Sequence, residues 1–298
     1  MRHSIARDKK AIACHYDVGN DFYRLFLGEE MIYSCAYFKR HGADIDEAQR
    51  DKLTYICRKL RLQPGEKLLD LGCGWGGLVI WAAKHFSVEA LGITLSSNQF
   101  EYAQERIKRE GIGHLCRVEL RDYREIKGEG IFDKVVSIGM FEHVGLNNLP
   151  VYFGAAARLL KEKGLFLNHG ITTDFTDSGR SVGQKFVNTF VFPDGELTNI
   201  SEVSRQMEKA GFEILDIESL RTHYAKTLER WVHSLEKNEE KARALVPEKT
   251  YRIWRLYMAG SSYGFAHGSL NVYQVLASKH SEPGLPRVPL TRADLYQV

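Results

Sequence analysis

The chain has 298 residues, 44% of them hydrophobic and 27% charged, with a formal net charge of +3 at pH 7. This is ordinary globular composition for one large domain with a core of its own, and it excludes disordered, collagen-like and low-complexity readings for most of the length. The charge excess is too small to point to nucleic acid, although a local basic patch would still favour an anionic membrane surface.

The longest uninterrupted apolar run is Leu78 to Ala83, far short of the roughly 20 apolar residues a membrane helix needs. The first residues carry no apolar stretch of the kind that drives secretion. Five scattered cysteines (14, 35, 57, 73 and 116) form no C-x-x-C pair and no zinc spacing, so free thiols in a reducing cytoplasm are expected, and no metal site.

In chain order, residues 1–63 read as a polar helical cap with interleaved aromatics. Ala48, Leu53, Ile56 and Leu60 fall near helical spacing, and Pro64-Gly65 ends this part. Over 64–280, apolar segments alternate with amphipathic ones. Strands are expected at Leu68–Leu71, 88–96, 116–122, 132–144 and 164–172, with helices at 78–86, 98–112 and 152–164, the last closed by Gly164. A further helix and strand span 200–220, and 271–279 reads as the last strand. Strand–helix alternation predicts an α/β fold, a mostly parallel sheet with helices on both faces. Two less regular pieces interrupt it: 171–200, with Phe186, Phe190 and Phe192, and 224–268, with long helices carrying Trp231 and Trp254. They read as lid and insertion. The tail 281–298, with three prolines, is expected to be loosely held.

The strongest local signal is Asp70-Leu71-Gly72-Cys73-Gly74-Trp75-Gly76, which follows a strand and opens a helix. Glycines there let backbone approach a ligand closely, and the helix N-terminus favours a carboxylate. The spacing differs from the G-x-G-x-x-G of dinucleotide sites. Asp70 suits a cofactor that carries an ammonium group.

The D-x-G-C-G-x-G pattern resembles that of S-adenosylmethionine-dependent methyltransferases. HYDVGNDFYRLFLG, YSCAYF, LLDLGCGWGG, GITLSSNQ, VSIGMFEHVG, NHGIT, FPDGEL and HYAKTLERW follow in order. Over residues 15 to about 277 the chain is similar to the cyclopropane-fatty-acid synthase family, including the mycolic-acid cyclopropane synthases. The resemblance implies a class I, Rossmann-like methyltransferase fold with an N-terminal helical cap and a helical insertion. It implies S-adenosylmethionine held by Tyr33, Ser34, Asp70, Gly72, Cys73, Gly74, Gly76, Thr94, Leu95, Gln99, Tyr123 and Arg124. It also implies a bicarbonate ion held by Cys35, Glu142, His169 and Tyr224 with backbone near Ile138 and Gly139.

The chemistry gives such a set a purpose. An alkene is a weak nucleophile, the sulfonium methyl is already activated, and closing a ring requires a base beside a cation. Glu142 and His169 would orient that base and Tyr224 would donate to it, while Cys35 would contribute position rather than a nucleophile. The implied reaction is methylene transfer to a cis double bond of an unsaturated fatty acyl chain in a lipid. The alternatives are methylation without ring closure, N-methylation of a small amine, or a non-catalytic cofactor-binding scaffold. Ser261 stands where some bacterial relatives carry a cysteine, so no thiol is required there. The basic stretch Arg2 to Lys10, followed by His15, Tyr16, Phe22 and Tyr23, predicts a basic, aromatic surface at the acyl entrance, with peripheral membrane contact at the inner face. No nucleic-acid partner is expected. Chain length, double-bond position, acyl carrier and oligomeric state cannot be read from the sequence.

Overall fold

The computed structural model describes residues 18–173, 182–193, 195–279, 286 and 288–296. Its centre is a seven-stranded sheet in the order β3-β2-β1-β4-β5-β7-β6. The strands are β1 (Lys67–Leu71), β2 (Glu89–Thr94), β3 (Cys116–Leu120), β4 (Phe132–Ile138), β5 (Leu160–Thr172), β6 (Phe212–Ser219) and β7 (Asn271–Lys279). Pairings among β1 to β5 are parallel, and β7 runs antiparallel to both β5 and β6.

Successive residues serve opposite faces. Leu68 and Val136 pack into one core, with α2 (Ile45–Lys59, following α1, Asn20–Leu27), α3 (Gly77–Phe86) and α4 (Ser97–Glu110). Leu69 and Val135 pack into the other, which also takes α5 (Phe141–Val144), α6 (Leu149–Leu159) and, beyond α7 (Val182–Phe190), α8 (Ile200–Lys209). Burial on both faces explains why the strands read as continuous apolar runs. Asp44 caps α2 by accepting from the Glu47 N–H at 2.8 Å, and Ser96 caps α4 in the same way.

Three helices connect β6 to β7: α9 (Arg221–Lys237), α10 (Glu239–Leu245) and α11 (Glu248–Ala266). With α1 they enclose a third, aromatic core. Phe22 and Tyr23 meet the Trp254 ring edge-on at 5.8 and 5.3 Å. Both are fully buried, which corrects the expectation that they form an exposed aromatic surface: large rings packed against Trp254 remove more apolar area from water than an exposed pair could. Arg2 to Lys10, His15 and Tyr16 lie outside the described residues. Among the described residues no helix is long and apolar enough to cross a membrane.

Two element boundaries differ from expectation. β4 stops at Ile138 because Gly139 takes φ 65°, and Phe141–Val144 coils into a helical turn instead of extending the strand. The helix expected to end at Gly164 ends at Leu159. β5 begins at once, its pairing with β4 slips between Leu160 and Leu165, and Lys163 takes φ 59°. Gly164 is needed for closeness, not capping: a Cβ there would lie 2.8 Å from the Asp133 carbonyl oxygen.

Candidate active site

The strand order reverses between β1 and β4, which opens a crevice at their C-terminal ends. A cleft of about 1100 Å³, its open mouth included, lies there. Tyr33, Ser34, Asp70, Gly72, Cys73, Gly74, Thr94, Leu95, Gln99, Tyr123 and Arg124 all line it. Gly76 does not. At φ 82° it starts α3, and a Cβ would come within 3.1 Å of Ala103, so its smallness serves helix packing. Gly74, at φ 56°, has no atom within 4 Å of a built Cβ, which leaves its backbone bare toward the cleft.

Polar groups around the cleft are fixed by local bonds. Thr94 Oγ1 donates to Gln99 Oε1 at 2.7 Å. Arg124 stacks its guanidinium over the Tyr123 ring at 5.3 Å and pairs with Asp122 at 2.7 Å. The Tyr33-Ser34 segment hangs from α2, where Gln49 donates to the Ser34 carbonyl at 3.0 Å and Lys52 to Ser34 Oγ at 3.0 Å. Asp70 is 2% exposed, and its Oδ1 has no hydrogen-bond partner among the described residues. Burial pushes its carboxyl up to about 7, against the opposing pull of Lys52. A bare backbone turn, an unpaired buried carboxylate and an aromatic ring at the far wall fit a nucleoside cofactor with an amino-acid end.

A second cavity of about 940 Å³ shares Tyr33, Ser34, Gly139 and His143 with the first. Its lining is mostly apolar, from Ile171, Val187, Leu197, Leu228, Phe265 and Val272, and it includes Glu142, His169, Tyr224, Tyr257 and Ser261. Glu142 rides on the α5 turn. Its Oε1 accepts from the Ile171 N–H at 2.7 Å, and its Oε2 is buried without a partner among the described residues. Burial pushes this carboxyl up to about 7. His169 lies on β5. The Gln274 amide nitrogen is 3.2 Å from its Nδ1, and its Nε2 is buried without a partner among the described residues. Burial, with Lys52 and Lys59 adding to it, holds the imidazole well below its usual range, so it is neutral. Tyr224 sits edge-on to Trp231 and tilted against Phe265.

Three expected anion ligands sit differently. Cys35 lines neither cavity. Its thiol is turned to the carbonyls of Ala36 and Leu220, and burial pushes it far above the thiolate range. The Gly139 N–H is committed to the His169 carbonyl at 2.8 Å. Ile138 lines only the first cavity. Two residues in the site had no signal in the sequence: Lys52, on what reads as an ordinary charged helix, and Gln274, in the middle of a strand.

Residues 3–275 match the model of the mycolic acid cyclopropane synthetase family. The chain belongs to that family. A protein of Pseudomonas putida named "Probable fatty acid methyltransferase" is 48% identical over 298 residues, spanning 99% of this chain and 75% of that protein. Among solved structures, the cyclopropane synthase MmaA2 of Mycobacterium tuberculosis superposes with a TM-score of 0.87 at 33% identity, covering 91% of this chain and 98% of the other. The mycolic acid cyclopropane synthase CmaA1, complexed with S-adenosylhomocysteine and CTAB, superposes with a TM-score of 0.86 at 36% identity and the same coverage. The chain is thus an S-adenosylmethionine-dependent methyltransferase with the class I fold.

Proposed function

We propose that this methyltransferase adds a methylene bridge across a cis double bond in an unsaturated fatty acyl chain of a lipid, at the cytoplasmic face of the membrane. The observation that carries the reading is a pair of buried atoms without partners among the described residues, Glu142 Oε2 and His169 Nε2, in an apolar cavity that adjoins the cofactor cleft. A lipid cavity has no use for a carboxylate and an imidazole unless something polar is held between them.

In this reading the cofactor, bound along Tyr33, Ser34, the 70–74 turn, Thr94, Leu95, Gln99, Tyr123 and Arg124, supplies an activated methyl group. The chain's own residues do the rest. Tyr33 and Ser34 border both cavities and so separate cofactor from acyl chain. The apolar wall excludes water from the charge that methyl addition leaves on the acyl chain. Glu142, His169 and Tyr224 would hold a bicarbonate ion, beside the Gly139 backbone that lines the same cavity. Such an ion would supply the base for the proton whose loss closes the ring, and Glu142 and His169 would set its position. Exposed Phe190 at the end of α7 and Leu256 on α11 suit contact with a lipid surface, which vesicle co-sedimentation at low and high salt checks.

The identity to a protein named a fatty acid methyltransferase favours a second reading, methyl transfer to the acyl chain without ring closure. Lipid analysis of a host expressing the chain separates the two. Both products gain one CH2, but only the cyclopropane resists ozonolysis. A product that is still cleaved at the modified position overturns ring closure.

A further inference from the structure

Lys52 is 1% exposed, and its side chain lines the cofactor cleft. An ammonium has three N–H donors, and among the described residues one of them is used, in the bond to Ser34 Oγ. Burying an ammonium with so little compensation is costly unless a partner arrives. Asp70 lines the same cleft with Oδ1 unpaired among the described residues. The two feel each other's charge without a direct ion pair. The other titratable groups near Lys52 are neutral: burial pushes the Cys35 and Cys57 thiols up and the His169 imidazole down.

A cation and an anion on one buried cleft, each with hydrogen-bonding capacity left over, complement a zwitterion. We propose that Lys52 receives the carboxylate of the cofactor's amino-acid end while Asp70 receives its ammonium, so that the two side chains read the α-amino acid as a unit. The inference rests on the cofactor occupying this cleft, not on the product of the reaction. It has a pH signature. Burial lowers Lys52 to about 8 and raises Asp70 to about 7. Between those values both are charged before ligand arrives. Below about 7 binding must release a proton from Asp70, and above about 8 it must load one onto Lys52. Affinity therefore peaks in that interval.

Calorimetry with two nucleosides tests this. S-Adenosylhomocysteine carries the amino-acid end; 5′-methylthioadenosine lacks it. Lys52→Met should weaken S-adenosylhomocysteine by about ten- to a hundredfold, the usual loss of a charge-assisted hydrogen bond, and leave methylthioadenosine within about twofold. The proton uptake above pH 8 should vanish in the variant, and Lys52→Arg should restore affinity without the fall above pH 8. If Lys52→Met fails to fold, the carboxyl methyl ester of S-adenosylhomocysteine, measured on the wild type, should show the same loss and the same missing uptake. Equal weakening of both nucleosides, or no weakening of either, overturns the pairing and leaves Lys52 as a support for Ser34. A wild type that binds neither nucleoside overturns the assignment of the cleft itself.

Discussion

His169 and Gln274 stand directly opposite each other in the antiparallel pairing of β5 with β7, and the Gln274 amide nitrogen reaches to 3.2 Å from His169 Nδ1. With its nitrogen on this side the amide donates to Nδ1, which assigns the imidazole hydrogen to Nε2, on the residue that lines the apolar cavity. Gln274→Leu should lose that control. Stability should fall by about 1–3 kcal/mol for the stranded Nδ1. Turnover should fall by about tenfold or more, as when the partner that orients a working imidazole is removed, with S-adenosylhomocysteine affinity unchanged. Gln274→Glu should invert the tautomer, because a carboxylate accepts from Nδ1–H. Nitrogen-15 spectra of the imidazole read this directly, and an unaltered tautomer in both variants would contradict the assignment.

Glu142 gives a pH-dependent stability with a defined sign. Its carboxyl titrates near 7 in the fold and lower in the unfolded chain. The protonated form is the one the fold tolerates, so this stabilising contribution is whole below about pH 4 and is lost as pH rises through about 7. Glu142→Gln keeps the acceptor for the Ile171 N–H and removes the charge. It should be as stable as the wild type near pH 4 and more stable by about 3 kcal/mol above pH 7.5. Denaturant midpoints at the two pH values measure the difference. In the same variant ring closure should drop by about 10²–10⁴-fold, and bicarbonate-depleted buffer should slow the wild type but not the variant. Wild-type rates in Glu142→Gln would remove the base assignment.

Gly170 sets the position of Glu142 from below. A Cβ there would overlap the Phe141 ring, so Gly170→Ala has to displace the α5 turn that carries Glu142. A loss of about 1–3 kcal/mol is expected from overpacking, with turnover reduced at saturating cofactor. A Gly170→Ala protein of full activity would mean that the turn is free to shift without consequence.

Gly74→Val should cost about 1–2 kcal/mol for its left-handed backbone and place a branched side chain where the turn is now bare. S-Adenosylhomocysteine binding by calorimetry should disappear while circular dichroism keeps the wild-type helix and sheet content. Unchanged affinity would show that the nucleoside does not rest on this turn.

Much of this architecture is legible in the sequence because its signals are local. The 70–76 turn follows an apolar strand directly, and Phe141-Glu142-His143 follows β4 after only Gly139 and Met140, so residue order alone places both sites at strand ends. The failures have a common cause. Val135 to Phe141 is almost wholly apolar, and nothing in residue type reveals that Gly139 will take a positive φ and turn Glu142 out of the strand. Leu159 to Lys163 has helical composition, yet the chain enters β5 there because Leu165 to Thr172 must pair with β7. Lys52 and Gln274 are invisible for the opposite reason. A lysine on a charged helix and a glutamine in a strand acquire meaning only from what packs over them, Ser34 in one case and His169 in the other.

The segment from Tyr33 to Phe38 is bound on two sides. Gln49 and Lys52 of α2 hold its start, while its end is held by α9, where Thr227 Oγ1 accepts from the Ala36 N–H and His223 Nδ1 from the Phe38 N–H, each at 3.0 Å. The loop that borders the cofactor cleft is thereby stitched to the helical insertion that walls the apolar cavity. For protein engineering this makes the two a single exchangeable part. An insertion grafted to accept a longer or shorter lipid keeps the nucleoside's cover only if it preserves His223 and Thr227, the two residues that hold the loop. Chimaeras whose α9 lacks either residue should lose cofactor retention before they gain a new substrate.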